Sequence, residues 1–170
     1  KNKTIEQYTT SQGLSNDYLR SLYESKDGKL IVGTDGNGID ILSLGDKVAD
    51  RTITHFDATN GLCNNSVFSL HQSVYGSLFI GTLGGGMDEL DLDKNVIKHY
   101  TVKQGLSSNK VISVFELKDR SLLIATSGGG INILNLATHE LKKYSTKQGI
   151  ANEEVNCVYE SSDGILFVGT

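Results

Sequence analysis

Several residue types are missing or rare in this sequence of 170 residues. It has no proline, no tryptophan, one methionine and two cysteines, whereas glycine occurs 19 times. Without proline, tight turns must rely on residues that tolerate unusual backbone angles, and glycine is the most tolerant of them. No apolar run approaches the ~20 residues that a membrane-spanning helix needs. The composition therefore indicates many short strands joined by glycine-rich turns.

The two cysteines, Cys63 and Cys157, are too few to form a disulfide framework. They occupy different positions in the repeats described below, so we expect free, partly buried thiols. Their number does not identify the redox compartment.

The charges are unevenly distributed along the chain. The net charge of −4 argues against nucleic acid as a partner. Residues 94–147, however, carry nine basic and three acidic side chains. This basic sector could attract an anionic glycan, or its lysines could protect an outer strand edge from unwanted pairing. We favour edge protection, because Lys98, Lys142 and Lys143 fall on predicted outer strands.

A repeat of 44 to 48 residues runs through the chain. Its most regular mark is a glycine followed by leucine or isoleucine, at Gly13, Gly61, Gly105 and Gly149. The longer first interval is explained by four extra residues in the loop near 45–51. Repeats of this length are typical of solenoids and propellers. The units begin near residues 5, 53, 97 and 141.

Each unit contains four strand signals separated by turn residues. In the second unit these are Ser66–Gln72, Ser77–Thr82, Met87–Leu92 and Val96–Thr101. The second strands are almost continuously apolar, which indicates burial on both faces. A four-stranded unit of this length that is covered on both faces is a β-propeller blade. We therefore predict an all-β fold, with residues 1–170 forming a propeller segment of about four blades.

The first and last blades are predicted to be incomplete. Ile5–Thr9 is interpreted as the fourth strand of a preceding blade, and the last unit stops after its second strand, at Gly169-Thr170. A closed ring of four blades is therefore not predicted. Because exposed strand edges invite pairing, we expect other blades or a second copy of the chain, as a homodimer, to cover them.

The repeated motifs resemble the two-component regulator propeller repeat. The resemblance is carried by Gly13-Leu14-Ser15-Asn16, Asp27-Gly28-Lys29-Leu30 and Gly33-Thr34, and it covers nearly the whole chain. Two features depart from the family pattern. The family usually has tryptophan where this sequence has Ile31, Phe79, Leu123 and Phe167, and the third unit has Arg120 and Ala125 in place of glycines.

The resemblance implies a periplasmic setting. Such repeats build propellers, usually of seven blades, in the ectodomains of inner-membrane hybrid two-component sensors that respond to oligosaccharides. The implied function is ligand sensing that is passed to a histidine kinase, with membrane contact only through the rest of the parent protein. The alternative from another class is a protein-interaction scaffold whose blade rims dock a partner.

Candidate ligand-binding residues are those that differ between the repeats. Asn16, Asn64, Asn65, Asn109 and Asn152 recur, and we interpret them as residues that fix the local backbone. Repetition does not explain the variable positions, which are therefore the better candidates for ligand contact. The predicted binding residues are Tyr18, Asp35, Asn37, Ser66, Lys110 and Glu154.

No catalytic motif, cofactor or metal site is predicted. The segment from Asp35 to Asp40 is similar to a calcium loop but lacks the distal glutamate, so we interpret it as a turn. His55, His71, His99 and His139 show no metal-ligand spacing and no accompanying carboxylate pattern. A propeller lyase or hydrolase is the least favoured alternative, and we expect this segment not to be an enzyme.

Overall fold

The computed structural model describes residues 5–45 and 50–170. They form 14 strands in three four-stranded antiparallel sheets and one two-stranded sheet. We call each sheet a blade. The strands of blade one are β1 (Leu19–Glu24), β2 (Leu30–Thr34), β3 (Ile39–Ser43) and β4 (Thr52–Phe56). Those of blade two are β5 (Val67–Gln72), β6 (Leu78–Thr82), β7 (Gly86–Asp91) and β8 (Val96–Tyr100).

Blades three and four continue the same order. Blade three contains β9 (Val111–Glu116), β10 (Ser121–Thr126), β11 (Gly130–Asn135) and β12 (Leu141–Tyr144). Blade four contains β13 (Cys157–Glu160) and β14 (Leu166–Gly169). Neighbouring strands pair in chain order within every blade. The strands predicted for the second unit are thus confirmed to within one residue at each end.

Short 3-10 helices form part of the linkers that precede β1, β9 and β13. They span Thr10–Gln12, Val102–Gln104 and Thr146–Gln148. Each begins with a capping box and ends at a glycine with a left-handed backbone, for example Gly13 at φ 104°. The repeated glycine of the sequence therefore marks the end of this linker, where a side chain would be strained.

The core lies between the blades. The first strands of successive blades, β1, β5, β9 and β13, contact one another and are therefore the innermost. Apolar side chains fill the space between blades one and two, including Ile31, Val67 and Ile80. A second cluster between blades two and three includes Phe79 and Leu122. Every residue of β6 and β10 is buried, as expected for strands that are covered on both faces.

The two terminal blades leave apolar side chains uncovered. Leu22 on the face of blade one is exposed, as are Tyr159 and Phe167 on blade four. Residues 5–9 do not form the predicted strand, because no neighbouring strand in the described residues accepts their hydrogen bonds. Ile5 is accordingly 98% exposed. Within the described residues, successive blades contact one another in chain order, and the outer faces of blades one and four carry exposed apolar side chains.

The thiols are free, as predicted, but they differ in burial. Cys63 is partly buried and Cys157 is exposed. The expectation that both are partly buried is wrong for Cys157, because this residue lies on the uncovered blade four.

Arg120 adopts the backbone conformation of the turn glycine that it replaces. Its φ is 69°, close to the 79° of Gly28 at the equivalent turn of blade one. A non-glycine residue with this backbone conformation destabilises the folded state by roughly 1–2 kcal/mol. Replacing it with glycine removes this strain, but part of the gain in stability is lost because glycine has greater conformational freedom in the unfolded chain. We expect Arg120→Gly to raise the free energy of unfolding by about 0.5–1 kcal/mol, measured by urea denaturation.

A matched substitution tests this explanation of the Arg120 turn. Asparagine tolerates the left-handed region better than arginine does, so Arg120→Asn should recover part of the gain. A loss of stability with Arg120→Gly would instead show that the contact of Arg120 with Glu116, at 3.5 Å, outweighs the backbone strain.

Candidate functional site

One end of the blades brings the variable residues of the repeats to the surface. The loops between the second and third strands meet there with residues that lie just before the inner strands. The loops comprise residues 35–37, 83–85 and 127–129. Tyr18, Ser66 and Lys110 directly precede β1, β5 and β9, and Glu154, at the same position of the repeat, lies three residues before β13. We call this surface the rim. Isolated bridges join the blades across it, between Asp35 and Ser66 and between Leu83 and Lys110.

Backbone hydrogen bonds tie each rim loop to the next blade. The carbonyl oxygen of Asn65 accepts hydrogen bonds from the amides of Gly36 and Gly38, at 3.1 and 2.8 Å. The carbonyl of Asn109 does the same for blade two, and that of Glu153 accepts three such bonds from blade three. The rim is therefore a fixed backbone frame on which different side chains are displayed.

The six predicted binding residues all lie on the rim, but they do not form one cluster. Asp35, Asn37 and Ser66 lie at the junction of blades one and two. Tyr18 lies beside Asp35 in blade one, where its carbonyl oxygen accepts a hydrogen bond from the Asp35 amide at 2.9 Å. Lys110 lies one blade further round, and Glu154 lies one blade beyond it. Glu154 accepts a hydrogen bond from the hydroxyl of Ser127 at 2.6 Å. Tyr18 is 78% exposed, so its ring is free to contact a ligand.

Asp35 is the most highly connected of these residues. Its carboxylate accepts hydrogen bonds from the guanidinium Nε of Arg20 at 3.1 Å and from the hydroxyl of Ser66 at 3.2 Å. The hydrogen bond from Arg20 contributes most to lowering the pKa of Asp35 below its ordinary value. Asp35 is therefore ionised at neutral pH and is already paired.

Two further rim residues, Arg20 and Phe68, were not among the predicted binding residues. The guanidinium of Arg20 lies over the ring of Phe68, 5.2 Å from its centroid, and so links blades one and two. Both residues occupy the bulge at the start of an inner strand, where the register shifts by one residue. A bulge redirects a side chain, and the sequence gives no sign of it. The variation between units at this position, arginine, phenylalanine, isoleucine and asparagine, is the signal that could have found them.

The recurring asparagines bind the local backbone, as predicted. The side-chain oxygens of Asn16, Asn64 and Asn152 accept hydrogen bonds from amides two residues further along. Those of Asn65 and Asn109 accept from the amides of Ala58 and Val102, which open the preceding linkers. These asparagines are thus part of the frame. The amide of Asn16 also contacts the Asn37 side chain, at 2.9 Å.

Residues 35–38 form a turn, as interpreted from the sequence, whereas Ile39 and Asp40 already belong to β3. The hydroxyl of Thr34 donates a hydrogen bond to the Gly38 carbonyl and accepts one from the Asn37 amide. Asp40 is completely buried, and its carboxylate accepts a hydrogen bond from the Ser15 amide at 2.9 Å, whereas the partners of Asp35 are Arg20 and Ser66.

Three histidines contact carboxylates, which corrects the interpretation made from the sequence. The Nδ1 atoms of His55 and His99 lie 2.6 Å from the carboxylates of Asp40 and Asp88. His71 contacts Glu116 at 3.4 Å, and burial lowers the pKa of His71 below its ordinary value. The partners are 11 to 45 residues apart in the chain, so only the strand register and blade packing bring them together.

Cys63 lies beside one of these pairs. Its amide donates a hydrogen bond to the second oxygen of Asp88 at 2.8 Å, and its sulfur lies 3.5 Å from the hydroxyl of Thr82. Burial raises the pKa of the Cys63 thiol to about 12, and the Asp88 charge adds to this effect. The free thiol is therefore protonated and is not an activated nucleophile.

The described residues contain no helix that is long and apolar enough to cross a membrane.

A cleft of about 320 Å³ lies beside β4 and is lined in part by Tyr8, Arg51 and Ile53. None of the predicted binding residues lines this cleft.

The blade order and the inter-blade core define a β-propeller. No family model matches the chain, and no curated protein matches it. Among solved structures, the chain is similar to the extracellular domain of BT3049, named as a hybrid two-component system of B. thetaiotaomicron. The identity is 25%, the TM-score is 0.80, and the match covers 89% of this chain and 20% of that one. The extracellular domain of BT4673 from the same organism is 26% identical, with a TM-score of 0.76 and coverages of 92% and 22%.

A more distant likeness concerns the fold alone. Virginiamycin B lyase from Staphylococcus aureus is 10% identical, with a TM-score of 0.70 over 92% of this chain and 50% of that one. The propeller fold and the resemblance to two-component sensor ectodomains are thus confirmed. The extracytoplasmic location is confirmed in the same way, because both sensor neighbours are extracellular domains. The chain spans about one fifth of the length of those two domains.

Proposed function

We propose that this chain is part of an extracytoplasmic sensing propeller that binds an oligosaccharide and signals to a histidine kinase. One observation carries the proposal, namely the similarity to extracellular domains of two-component systems over about nine tenths of the chain. An enzymatic role is not proposed.

The rim is the surface that suits ligand recognition best. It displays an exposed aromatic ring at Tyr18, a cation at Lys110 and an anion at Glu154 on a backbone held by inter-blade hydrogen bonds. An aromatic face beside fixed polar groups is a common means of binding a polar ligand. Because Lys110 and Glu154 lie on blades three and four, an oligosaccharide that contacts them and Tyr18 would have to run along the rim. Because the frame is rigid, a bound ligand would act by changing how two receptor chains associate.

A thermal-shift screen against neutral and anionic oligosaccharides tests this proposal. A ligand present at about 100 times its dissociation constant stabilises the folded state by ~2.7 kcal/mol, which is readily detected. We expect at least one sugar to raise the melting temperature. We also expect Tyr18→Ala and Lys110→Ser to reduce that shift.

The charge-matched control is Lys142→Ser. Lys142 lies on the outer strand β12, away from the rim, and its replacement changes the net charge by the same amount as Lys110→Ser. Equal losses with both lysine variants would point to general charge attraction and would exclude a rim site. No shift with any sugar would contradict oligosaccharide binding.

A second candidate function is a docking scaffold for protein. It is favoured by the apolar side chains that blades one and four leave uncovered, such as Leu22 and Phe167. We propose further blades of the same protein, or a second copy of the chain in a homodimer, as the partner on these faces. Capture of a stable protein partner, together with no response to any sugar, would favour this function over oligosaccharide sensing.

A further inference from the structure

Three side chains of different chemistry converge in blade two. A thiol, a carboxylate and an imidazole, from Cys63, Asp88 and His99, place their potential ligand atoms within 4.8 Å of one another. Thiolate and imidazole are ligands that zinc and the later transition metals prefer, and a carboxylate completes many such sites. This set is not part of the rim site described above.

The backbone holds the three residues in place. Asp88 on β7 and His99 on β8 are direct cross-strand partners in the antiparallel register. Cys63 is held beside them by its amide, which donates to the Asp88 carboxylate at 2.8 Å. Asp88 is completely buried, whereas the side chain of His99 is about half exposed. An ion could therefore reach the buried carboxylate from the side of His99.

The other blades provide an internal comparison. Blade one keeps the carboxylate and imidazole, at Asp40 and His55, but has Ser15 in place of the cysteine. Blade three has lost all three groups. There Asn132 accepts the hydrogen bond from the Ser107 amide at 3.0 Å, and its cross-strand partner is Lys143.

A neutral asparagine thus fulfils the backbone role that aspartate has in the other two blades. The complete set of three ligands occurs in blade two alone among the three blades with four described strands.

We propose that Cys63, Asp88 and His99 bind one divalent transition-metal ion of the zinc class, with the fourth position open to water. Zinc bonds of ~2.0–2.3 Å in a tetrahedron separate the ligand atoms by roughly 3.3–3.8 Å. The contact between Asp88 and His99, now 2.6 Å, would open by about 1 Å, and the half-exposed imidazole has room to move. The thiol releases its proton to solvent when the metal binds.

The ion would join the loop before β5 to β7 and β8. That loop also carries Asn64 and Ser66, so the metal would fix part of the rim that displays Ser66. Metal binding at these residues does not depend on oligosaccharide binding, so it can be tested with the metal alone.

Titration of the reduced full chain with Co²⁺ tests the proposal. We expect one ion per chain, a thiolate-to-cobalt charge-transfer absorption in the near ultraviolet, and loss of that absorption when Zn²⁺ is added. Cys63→Ser, which copies blade one, should abolish the absorption and weaken Zn²⁺ binding by about 100-fold or more. The control Cys157→Ser removes the other thiol and should leave both signals unchanged.

The reverse substitution asks whether these three ligands are sufficient. Ser15→Cys completes the same set with Asp40 and His55, and the Ser15 hydroxyl is buried without a hydrogen-bond partner among the described residues. We expect this variant to bind two Co²⁺ ions in place of one. Circular dichroism checks that each variant folds. No thiolate absorption in the native chain, or an absorption that survives Cys63→Ser, would overturn the proposal, as would a Ser15→Cys chain that still binds a single ion.

Discussion

Replacing Gly38 with alanine is expected to destabilise the protein by about 3–5 kcal/mol, whereas Gly28→Ala should cost only about 1–2 kcal/mol. The two glycines have nearly the same backbone angle, φ 78° and 79°. A Cβ atom at Gly38 would lie 2.0 Å from the carbonyl oxygen of Phe56 and 2.9 Å from the Cα of Asp57, whereas at Gly28 it would meet nothing within 4 Å. Gly28→Ala therefore measures backbone strain alone, and Gly38→Ala adds a clash with backbone that cannot move cheaply.

Urea denaturation of the two variants, each compared with the native chain, measures this difference. Both substitutions add one methyl group and change the unfolded chain equally. The difference between their effects on the free energy of unfolding therefore measures the cost of the clash at Gly38. Similar costs for the two would show that the strand end at Phe56 moves away without penalty. The clash recurs at Gly86 and Gly130, whose added Cβ atoms would lie 2.2 Å from the carbonyls of Tyr100 and Tyr144. The rim frame therefore depends on close backbone approach in each of the three blades.

The fold was predictable because each blade repeats the same physical problem. A strand such as β6, which begins with three large apolar residues and is buried along its whole length, must be covered on both faces, and neighbouring copies of the same unit do this. The turn residues at Asp27-Gly28 and the linker glycines then set the spacing of the strands. The segment 5–9 was the exception. Its sequence resembles an outer strand, but a strand forms only where a partner supplies the ladder of hydrogen bonds.

The candidate site was predictable in position but not in its contacts. Comparison of the units separated the asparagines that hold the backbone from variable residues such as Tyr18, because a backbone-binding role keeps asparagine or a similar polar residue, such as Ser108, in each unit. The pairing of Asp88 with His99 depends on strand register, and the contact of Arg20 with Phe68 depends on a bulge. Neither register nor bulge leaves a pattern in one sequence, and so these contacts required the structure.

Among core substitutions, we expect the largest effect from Phe79→Ala, which should lower the free energy of unfolding by about 3–5 kcal/mol. Phe79 is 1% exposed and packs between blades two and three, so its removal leaves a cavity lined by side chains that are fixed on two sheets. The same position of the repeat in blade four is Phe167, which is 57% exposed. We expect Phe167→Ala to cost less than about 1 kcal/mol, because little apolar surface is returned to water.

Chemical denaturation of this chain measures both costs, and the pair is matched in residue type and in repeat position. A cost below about 1 kcal/mol for Phe79→Ala would contradict an inter-blade core at this position. Measured again in a protein with further blades or in a dimer, Phe167→Ala should become nearly as costly as Phe79→Ala if a neighbouring sheet covers blade four. The difference between the two substitutions therefore reports whether the face of blade four is covered, since a propeller blade is stabilised chiefly by its neighbours.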